Sequence, residues 1–358
     1  MGLGDELVVG VSVNNVTGIT GRRYDLPDLL ASAREAEAMG FGAIWVHDAQ
    51  FGRRTVAAYD PVAVLATVAG MTRRLRLCTG ILAPRARNAI QLAQQWATLE
   101  ALSGGRTIMG VGLGAGTPGL VHRQFASLAA LRHDTALDPD RLFEGRSRLF
   151  EECLTVMRRL WVEDKVSHEG AFYRFRDMTL GEARPPAMPT VLVAAGIYYP
   201  VKPGGPVHHA WQEKYAGKFV FGPYRRVADL GDGWLTNHLS PEDYDRYWAR
   251  IEDYARTQHP GRRYLKAFNC FVHVGDDERK AWEAVRDHLN EFHGPPIGND
   301  VVDRWAVAGP AEKVADRLQA YIDRGVTIFQ LVIGSPDQLG QMRKIAEGVL
   351  PRLKAPRR

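Results

Sequence analysis

The chain has 358 residues, of which 45% are hydrophobic, 24% are charged and 9% are aromatic. That length permits two domains of roughly 150 residues or one α/β barrel of roughly 250 residues with insertions, and the apolar content excludes disorder over most of the chain. The formal net charge of +5 comes from dispersed Lys and Arg residues rather than from a dense basic stripe, which argues against a nucleic-acid partner.

The first ten residues lack the features of a targeting segment. Asp5 and Glu6 stand where a signal peptide carries positive charge. No run in the sequence approaches the ~18 consecutive apolar residues that a membrane-spanning helix needs. The three cysteines are scattered and show no CxxC or other metal-ligand spacing. We therefore expect a cytoplasmic protein with no membrane partner, no disulfide framework and no structural metal.

The first third of the chain alternates between short apolar runs and amphipathic helices. Asp25 and Asp60-Pro61 mark two helix starts, because aspartate accepts hydrogen bonds from free helix amides and proline suits the first helical position. A third helix runs through Trp96 and ends at Gly104. Four strands are predicted in this region: Leu7 to Val13, Ala43 to His47, Leu75 to Gly80 and Thr107 to Gly112.

The same alternation continues with longer interruptions. Helices are predicted over Arg141 to Trp161 and from starts at Ser240-Pro241, Asp276, Gly309-Pro310 and Ser335-Pro336. A β-hairpin is predicted within Val166 to Phe175, and four more strands at Thr190 to Ala195, Gly233 to Thr236, Leu265 to Val274 and Thr327 to Ile333. Eight strand–helix units in strict alternation predict a (β/α)8 TIM barrel, as one domain over 1–358.

Three insertions in the βα loops interrupt this pattern, at about 113–140, 196–220 and 291–306, and little helical signal is present in the last. The first contains Gly114 to Gly119, which fits GxGxxG and keeps a doubly wound sheet as the alternative fold. That motif normally opens the first βαβ unit, whereas three units precede it here. We therefore interpret these glycines as part of a flexible βα loop.

The strand ends restrict the chemistry, because the active sites of barrel enzymes lie there. They carry small residues, hydroxyls and one His-Asp pair, His47-Asp48. They lack the clustered ligands of metal hydrolases, the paired carboxylates of retaining glycosidases and the lysine of Schiff-base aldolases. A pocket for a flat cofactor that brings its own reactivity remains. A helix start at Gly222 to Arg226 offers N–H groups and arginines to a phosphate, or forms only a turn.

Several stretches resemble the bacterial luciferase-like flavin and deazaflavin oxidoreductase family. The longest are Glu37 to Asp48, Leu75 to Gly80 and Thr98 to Gly112. Shorter matches at 144–146, 170–175, 228–234 and 309–314 keep the same order along nearly the whole chain. The resemblance implies a (β/α)8 barrel that binds reduced FMN or coenzyme F420 at the C-terminal strand ends. It also implies a homodimer, which members of the family often form.

The resemblance carries over cofactor-binding residues by position. Those beside the ring are Asn14, Thr79, Gly80, Gly112 and Gly114, where Thr79-Gly80 matches a segment that often holds a non-prolyl cis peptide. A turn residue without a ligand role is the alternative for Asn14. The phosphate-binding turn matches Gly222, Tyr224 and Arg225, with Ala195 and Gly196 as competitors for the same role.

His47 and Asp48 match a strand end where several relatives place a histidine that contacts cofactor or substrate. The resemblance therefore implies a catalytic role, in which the histidine donates to a flavin carbonyl or to a bound oxygen species. A His47–Asp48 hydrogen bond that only supports the following loop is the structural alternative.

The first functional hypothesis is a two-component monooxygenase, in which a partner reductase supplies reduced FMN and O2 oxygenates a small organic substrate. An F420-dependent hydride-transfer enzyme is the alternative, and a non-catalytic flavin-binding protein is a third hypothesis. Two departures separate the chain from its family. The deazaflavin-dependent sugar dehydrogenases carry an acid just beyond strand four, where Leu113 to Gly116 has none. The aromatic insertion after strand five is longer than usual, so no substrate preference is carried over.

Overall fold

A computed structural model describes residues 3–17, 26–48, 57–114, 139–195, 221–293 and 297–356. Of the predicted insertions, the second (196–220) and most of the first (113–140) lie outside these ranges. Asp25, Gly196 and the GxGxxG residues beyond Gly114 also lie outside the described residues.

Eight parallel strands form a closed barrel, as the alternation predicts. Each strand pairs with the next, β6 pairs with β7 through Gly233↔Leu265, and β8 closes on β1 through Val8↔Ile328. The doubly wound alternative is wrong, because its sheet would have two open edges. The strands are β1 Val8–Ser12, β2 Ala43–Val46, β3 Arg76–Leu82, β4 Thr107–Val111, β5 Thr190–Ala194, β6 Gly233–Thr236, β7 Leu265–Val274 and β8 Ile328–Ile333.

The lower half of the barrel is filled by side chains. Trp45 lies fully buried at its centre, and its indole Nε1 donates to the carbonyl of Phe329 over 3.1 Å. Gly10 makes room for it, since a Cβ atom at Gly10 would overlap the indole. Small neighbours such as Ala43 and Ala267 belong to the same cluster. Because this end is packed, an open space can form only toward the C-terminal ends of the strands.

Ten helices are described around this core, and several start where local sequence signals place them. Asp60 accepts from the backbone N–H groups of Val62 and Ala63, and Ser240 accepts from that of Asp243. The helices are α1 Leu26–Ala38, α2 Pro61–Met71, α3 Ala89–Ser103, α4 Pro139–Val162, α5 Gly222–Leu230, α6 Pro241–Gln258, α7 Glu278–His293, α8 Asn299–Trp305, α9 Ala311–Ile322 and α10 Gln338–Gly348.

The predicted hairpin is present as the antiparallel pair Val166–Glu169 and Arg174–Met178. The carboxylate of Glu152 on α4 accepts from the backbone N–H groups of Phe172 and Tyr173, which fixes the hairpin turn to the helix. A second antiparallel pair, Val16–Thr17 with Ala57–Ala58, was not predicted. Both strands of that pair are two residues long, too short to show an alternating pattern.

Two sequence predictions are wrong in detail. The last helix begins at Gln338 rather than at Ser335-Pro336, because the carboxylate of Asp337 caps it by accepting from Gly340 N. The predicted loop 291–306 contains the end of α7 and the whole of α8. Helix α8 has no side-chain cap and only seven residues, so the packing of its buried residues stabilises it rather than a local signal. It leads into an extra strand, Ala306–Gly309, which pairs with β7 outside the barrel.

Candidate active site

A cavity of about 400 Å³ opens at the C-terminal ends of the strands. Seven of the eight barrel strands contribute residues to its lining, within or just beyond each strand. Helices α4, α5 and α8 supply larger side chains, which are Arg146, Pro223, Arg226 and Trp305. Among the described residues, no group of three His, Cys, Asp or Glu side chains is placed to hold a metal ion.

Glycines form one wall of the cavity. A Cβ atom at Gly80 would overlap the side-chain amide of Gln330, and one at Gly112 would overlap Ile81. The Gly80–Ile81 peptide bond is cis, and Gly114 has a φ of +70°. Neighbouring side chains therefore require glycine at positions 80 and 112, and Gly80, Gly112 and Gly114 all line the cavity. This is where the resemblance places Gly80, Gly112 and Gly114.

His47 lines the cavity at the end of β2. Its ring atom Nδ1 lies 2.8 Å from the carbonyl oxygen of Gly80. Because a carbonyl oxygen only accepts, Nδ1 carries the proton, and in the neutral ring Nε2 is an acceptor. Burial lowers the pKa of His47, and the hydrogen bond to Gly80 opposes this only in part. The ring is therefore neutral at neutral pH with Nε2 as an acceptor, and the donor role that the resemblance implies stays a prediction.

The backbone of His47 is held by Asn15, a residue that the sequence analysis missed. Asn15 Oδ1 accepts from His47 N over 2.8 Å, and its Nδ2 donates to the carbonyls of His47 and Tyr59 over 2.6 and 3.0 Å. Asn15 is fully buried, whereas the predicted Asn14 is partly exposed and does not line the cavity. The sequence offers no signal that separates these two adjacent asparagines.

Asp48 is directed away from the cavity. Its carboxylate accepts from Ala83 N over 3.0 Å and forms an ion pair with Arg87 over 2.8 Å. Arg87 also pairs with Asp60 at the start of α2. Asp48 is not among the lining residues, and its side chain bonds to these groups rather than to His47. We interpret Asp48 as a residue that fixes the loop after β3, and a catalytic role for Asp48 stays a prediction from the resemblance.

One end of the cavity is positively charged. Arg146 on α4 and Arg226 on α5 both line it, and Arg226 lies 3.3 Å from Glu151. Arg85 is buried nearby, and burial together with the charge of Arg146 lowers the pKa of Arg85 to about 10. Two arginines beside the first turn of a helix form an environment that suits a phosphate group.

The predicted phosphate turn lies at this end, but its side chains are arranged differently from the prediction. Pro223 and Arg226 face the cavity, whereas Arg225 pairs with Glu151 and Asp229 over 3.2 and 2.7 Å. Tyr224 is buried against Trp234, with ring centroids 5.9 Å apart. Gly222 opens α5 and does not line the cavity.

The other predicted cofactor residues divide between the cavity and the core. Ala195 lines the cavity, and its carbonyl accepts from the indole of Trp234 over 2.9 Å. Thr79 is fully buried, and its hydroxyl donates to the carbonyl of Gly110 over 2.9 Å. Thr79 therefore supports the glycine wall from behind rather than lining the cavity.

The end of the cavity at β7, β8 and α8 is uncharged and aromatic, and none of its residues was predicted from the sequence. It is lined by Asn269 and Phe271 of β7, by Val332 of β8 and by Trp305 of α8. The indole Nε1 of Trp305 donates to Asn269 Oδ1 over 3.0 Å. Trp305 belongs to the insertion whose helix was not predicted, so no sequence signal placed it near the strand ends.

Comparison with known proteins bears on the family and the fold. The sequence profile of a family described as luciferase-like monooxygenase matches residues 8–198. The chain is 27% identical over 345 residues to an F420-dependent glucose-6-phosphate dehydrogenase of Amycolatopsis mediterranei (strain U-32), which covers 92% of this chain and 95% of that protein.

Two solved structures share the fold. An F420-dependent secondary alcohol dehydrogenase, in complex with an F420-acetone adduct, superposes with a TM-score of 0.73 at 19% identity, over 98% of this chain and 99% of that one. The oxygenating constituent of 3,6-diketocamphane monooxygenase of Pseudomonas putida, in complex with FMN, gives a TM-score of 0.68 at 14% identity, over 98% of this chain and 100% of that one. No described helix is both long and apolar enough to cross a membrane.

Proposed function

The chain belongs to the luciferase-like monooxygenase family, and from that premise we propose that it is an oxidoreductase that transfers a hydride between coenzyme F420 and a small organic substrate. This was the alternative hypothesis at the level of sequence. We now prefer the F420 enzyme to the two-component FMN monooxygenase, because the glucose-6-phosphate dehydrogenase that aligns with 92% of this chain is F420-dependent.

The observation that carries the proposal is the state of His47. Its Nδ1–H is committed to the Gly80 carbonyl, so the basic Nε2 atom is the one left to the cavity. Oxidation of an alcohol by hydride removal also releases the hydroxyl proton, and a positioned neutral imidazole can accept it. A base with this orientation is useful in hydride transfer.

The cavity fits a cofactor with a flat ring and a phosphate. The glycine wall at Gly80 and Gly112 would lie against the ring, and Arg146 and Arg226 would hold the phosphate. When bound, F420 accepts or delivers a hydride at its deazaflavin ring. The lining arginines come from α4 and α5 and the aromatic residues from β7 and α8, which would leave the aromatic end for the substrate.

Different residues of the protein would then accept the proton, orient the base and fix the surrounding loop. Asn15 and Gly80 hold His47 in one orientation, so that Nε2 can take the proton from the group being oxidised. His47 would perform the proton transfer in place of the acid that the family's sugar dehydrogenases carry beyond strand four. Leu113 and Gly114, which follow strand four here, supply no titratable side chain. Asp48 and Arg87 would act only by fixing the loop that follows β3.

An FMN-dependent monooxygenase is the second candidate, and the glycine wall favours it equally because reduced FMN has a similar ring and a phosphate. That candidate requires a partner reductase, whereas the F420 enzyme requires none during turnover. A non-catalytic role is not retained, because the family and the named relative are enzymes. The homodimer implied by the resemblance remains a prediction.

Titration with both cofactors tests the proposal. We expect F420 to bind with micromolar or tighter affinity, as measured by the quenching of protein fluorescence. We also expect bound F420 to be reduced when a suitable secondary alcohol is added. Reduced FMN under anaerobic conditions should bind at least about 10-fold more weakly. Tight binding of reduced FMN alone, with substrate oxygenation after O2 is admitted, would establish the second candidate instead.

A further inference from the structure

We propose that Asn269 and Trp305 form a substrate subsite that binds the oxygen of an uncharged, planar alcohol or of its ketone. This inference rests on the proposed function, because it names the substrate class of the same cavity. It concerns residues of β7 and α8 that no motif in the sequence marks.

The orientation of the Asn269 amide follows from its partner. An indole N–H can only donate, and Trp305 Nε1 lies 3.0 Å from the Oδ1 atom of Asn269. Oδ1 is thus occupied on the side of Trp305, and the Nδ2 amino group points elsewhere. Within the part of the chain that the structure describes, Nδ2 donates to no protein acceptor, and Asn269 lines the cavity. The cavity wall therefore presents an oriented N–H donor that suits a hydroxyl or carbonyl oxygen.

The surface beside this donor is rigid and aromatic. The ring of Phe271 packs edge-on against Trp305, with centroids 4.9 Å apart and an interplanar angle of 84°. The ring of His238 also packs against Trp305, with centroids 3.6 Å apart and an interplanar angle of 44°. Trp305 is only 9% exposed although it lines the cavity, so most of its side chain is packed against protein. Aromatic walls of this kind favour flat apolar ligands over flexible polar ones.

The distribution of charge around the cavity favours uncharged over anionic substrates at the aromatic end. The lining residues from β7, β8 and α8 are Asn269, Phe271, Gln330, Val332 and Trp305, all uncharged. The arginines that line the cavity, Arg146 and Arg226, come from α4 and α5, which belong to other sectors of the barrel. A sugar phosphate bound at the aromatic end would bury its anionic group without a cation from these five residues, which is unfavourable. An uncharged molecule bears no such penalty.

A pair of ligands isolates the contribution of the oxygen. Acetophenone and ethylbenzene have the same ring and similar size, but only acetophenone has a carbonyl oxygen. We expect the wild-type protein to bind acetophenone about 10-fold more tightly than ethylbenzene, as measured by saturation-transfer NMR or calorimetry with and without F420. Glucose 6-phosphate should bind more weakly than acetophenone. Equal affinity for the two aromatic ligands, or tighter binding of glucose 6-phosphate, would overturn the proposal.

The variant Asn269→Asp reverses the proposed donor while keeping the contact with Trp305, because a carboxylate oxygen still accepts from the indole. It should abolish the preference for acetophenone over ethylbenzene. Trp305→Phe keeps an aromatic ring but removes the N–H group that orients the amide, and it should reduce the preference by a smaller factor. Retention of the full preference in both variants contradicts the subsite.

The matched control is Asn290→Asp, which makes the same change of charge away from the cavity. Asn290 Oδ1 accepts from Ile297 N over 2.7 Å, so its acceptor is also retained. The control should keep the wild-type preference. F420 affinity is measured in parallel for the wild-type protein and all variants. If the wild-type protein does not bind F420, the proposed function is refuted, but the comparison of acetophenone with ethylbenzene still tests Asn269.

Discussion

The Nδ1 atom of His47 and the carbonyl oxygen of Gly80 lie 2.8 Å apart, which ties the end of β2 to the end of β3. The same carbonyl lies 3.4 Å from the side-chain amide nitrogen of Gln330 on β8. One peptide oxygen thus joins residues that are distant in sequence, and it leaves Nε2 as the acceptor nitrogen of the neutral His47 ring. The chemistry proposed for the protein depends on this contact.

Replacement of His47 by Gln removes the proposed base but keeps a polar side chain. We expect kcat for the best secondary alcohol of a substrate panel to fall by about 100-fold or more, with F420 affinity changed little. Steady-state reduction of F420 and fluorescence titration measure the two quantities. The control His259→Gln, on the surface near Asp229, should behave as wild type. Unchanged turnover in His47→Gln would remove His47 from the mechanism.

The stability of the protein should decrease as the pH falls below about 6.5. Burial lowers the pKa of His47, His273 and His288 in the folded state. The unfolded chain therefore binds more protons at acidic pH, so the stabilisation is present above the unfolded value and is lost as pH falls toward the folded values. Urea unfolding from about pH 8 to about pH 5 measures this trend. In His47→Gln the dependence on pH should be shallower, and an identical slope would contradict the assignment.

Arg226 and Arg225 are adjacent but should differ in their effect on cofactor binding. Arg226→Met should weaken F420 binding by about 10-fold or more and should hardly affect the phosphate-free deazaflavin core. Both arginines pair with Glu151, but only Arg226 lines the cavity, whereas Arg225 also pairs with Asp229. Arg225→Met should therefore leave both affinities near wild type. Fluorescence titrations with both ligands give the comparison. The reverse ranking would restore the phosphate turn as predicted from the sequence.

Asn15 should contribute strongly to stability, because its buried amide makes three hydrogen bonds to backbone groups. Asn15→Ala should lower the free energy of unfolding by about 2 to 4 kcal/mol, since it leaves buried groups without partners. Asn14→Ala, next to it and partly exposed, should change the same quantity by less than about 0.5 kcal/mol. Denaturant unfolding of both variants tests the difference, and equal effects would contradict it.

Substitution by alanine should have opposite effects on stability at two glycines. A Cβ atom at Gly110 would overlap the backbone carbonyl of Thr79, so Gly110→Ala should force β3 and β4 apart and destabilise the fold by about 3 kcal/mol. A Cβ atom at Gly70 meets no atom within 4 Å, and Gly70→Ala in α2 should stabilise the fold by about 0.5 kcal/mol. Thermal unfolding distinguishes the two, and a stable Gly110→Ala variant would contradict the close approach.

Features encoded over a few adjacent residues were predictable from the sequence. The cap of α2 at Asp60 and that of α6 at Ser240 lie where the sequence analysis puts them, because a side chain that bonds to amides two or three residues later acts locally. The eight strands followed from their apolar runs. The glycine wall at Gly80 and Gly112 followed from the family resemblance, and the structure brings both glycines to the cavity.

Features set by orientation were not predictable. Adjacent residues on a helix point about 100° apart, so the choice between Arg225 and Arg226 depends on how α5 packs. Asn14 and Asn15 are the same residue type, and they differ in burial, since Asn15 is fully buried and Asn14 is partly exposed. Helix α8 depends on the burial of Val302 and Trp305, which no local signal encodes. The aromatic end of the cavity was missed for that reason.

The extra strand Ala306–Gly309 pairs with β7 through Phe271↔Ala306 to Val274↔Gly309, outside the ring of eight. Closure of the barrel needs none of its hydrogen bonds, yet Trp305 immediately precedes it. The segment packs against α7 and the barrel through Ile297 and Val302, so it shapes one side of the cavity without taking part in barrel closure. On the proposed function, exchange of residues that line the cavity from this segment would alter the choice of substrate and leave the proposed cofactor contacts in place.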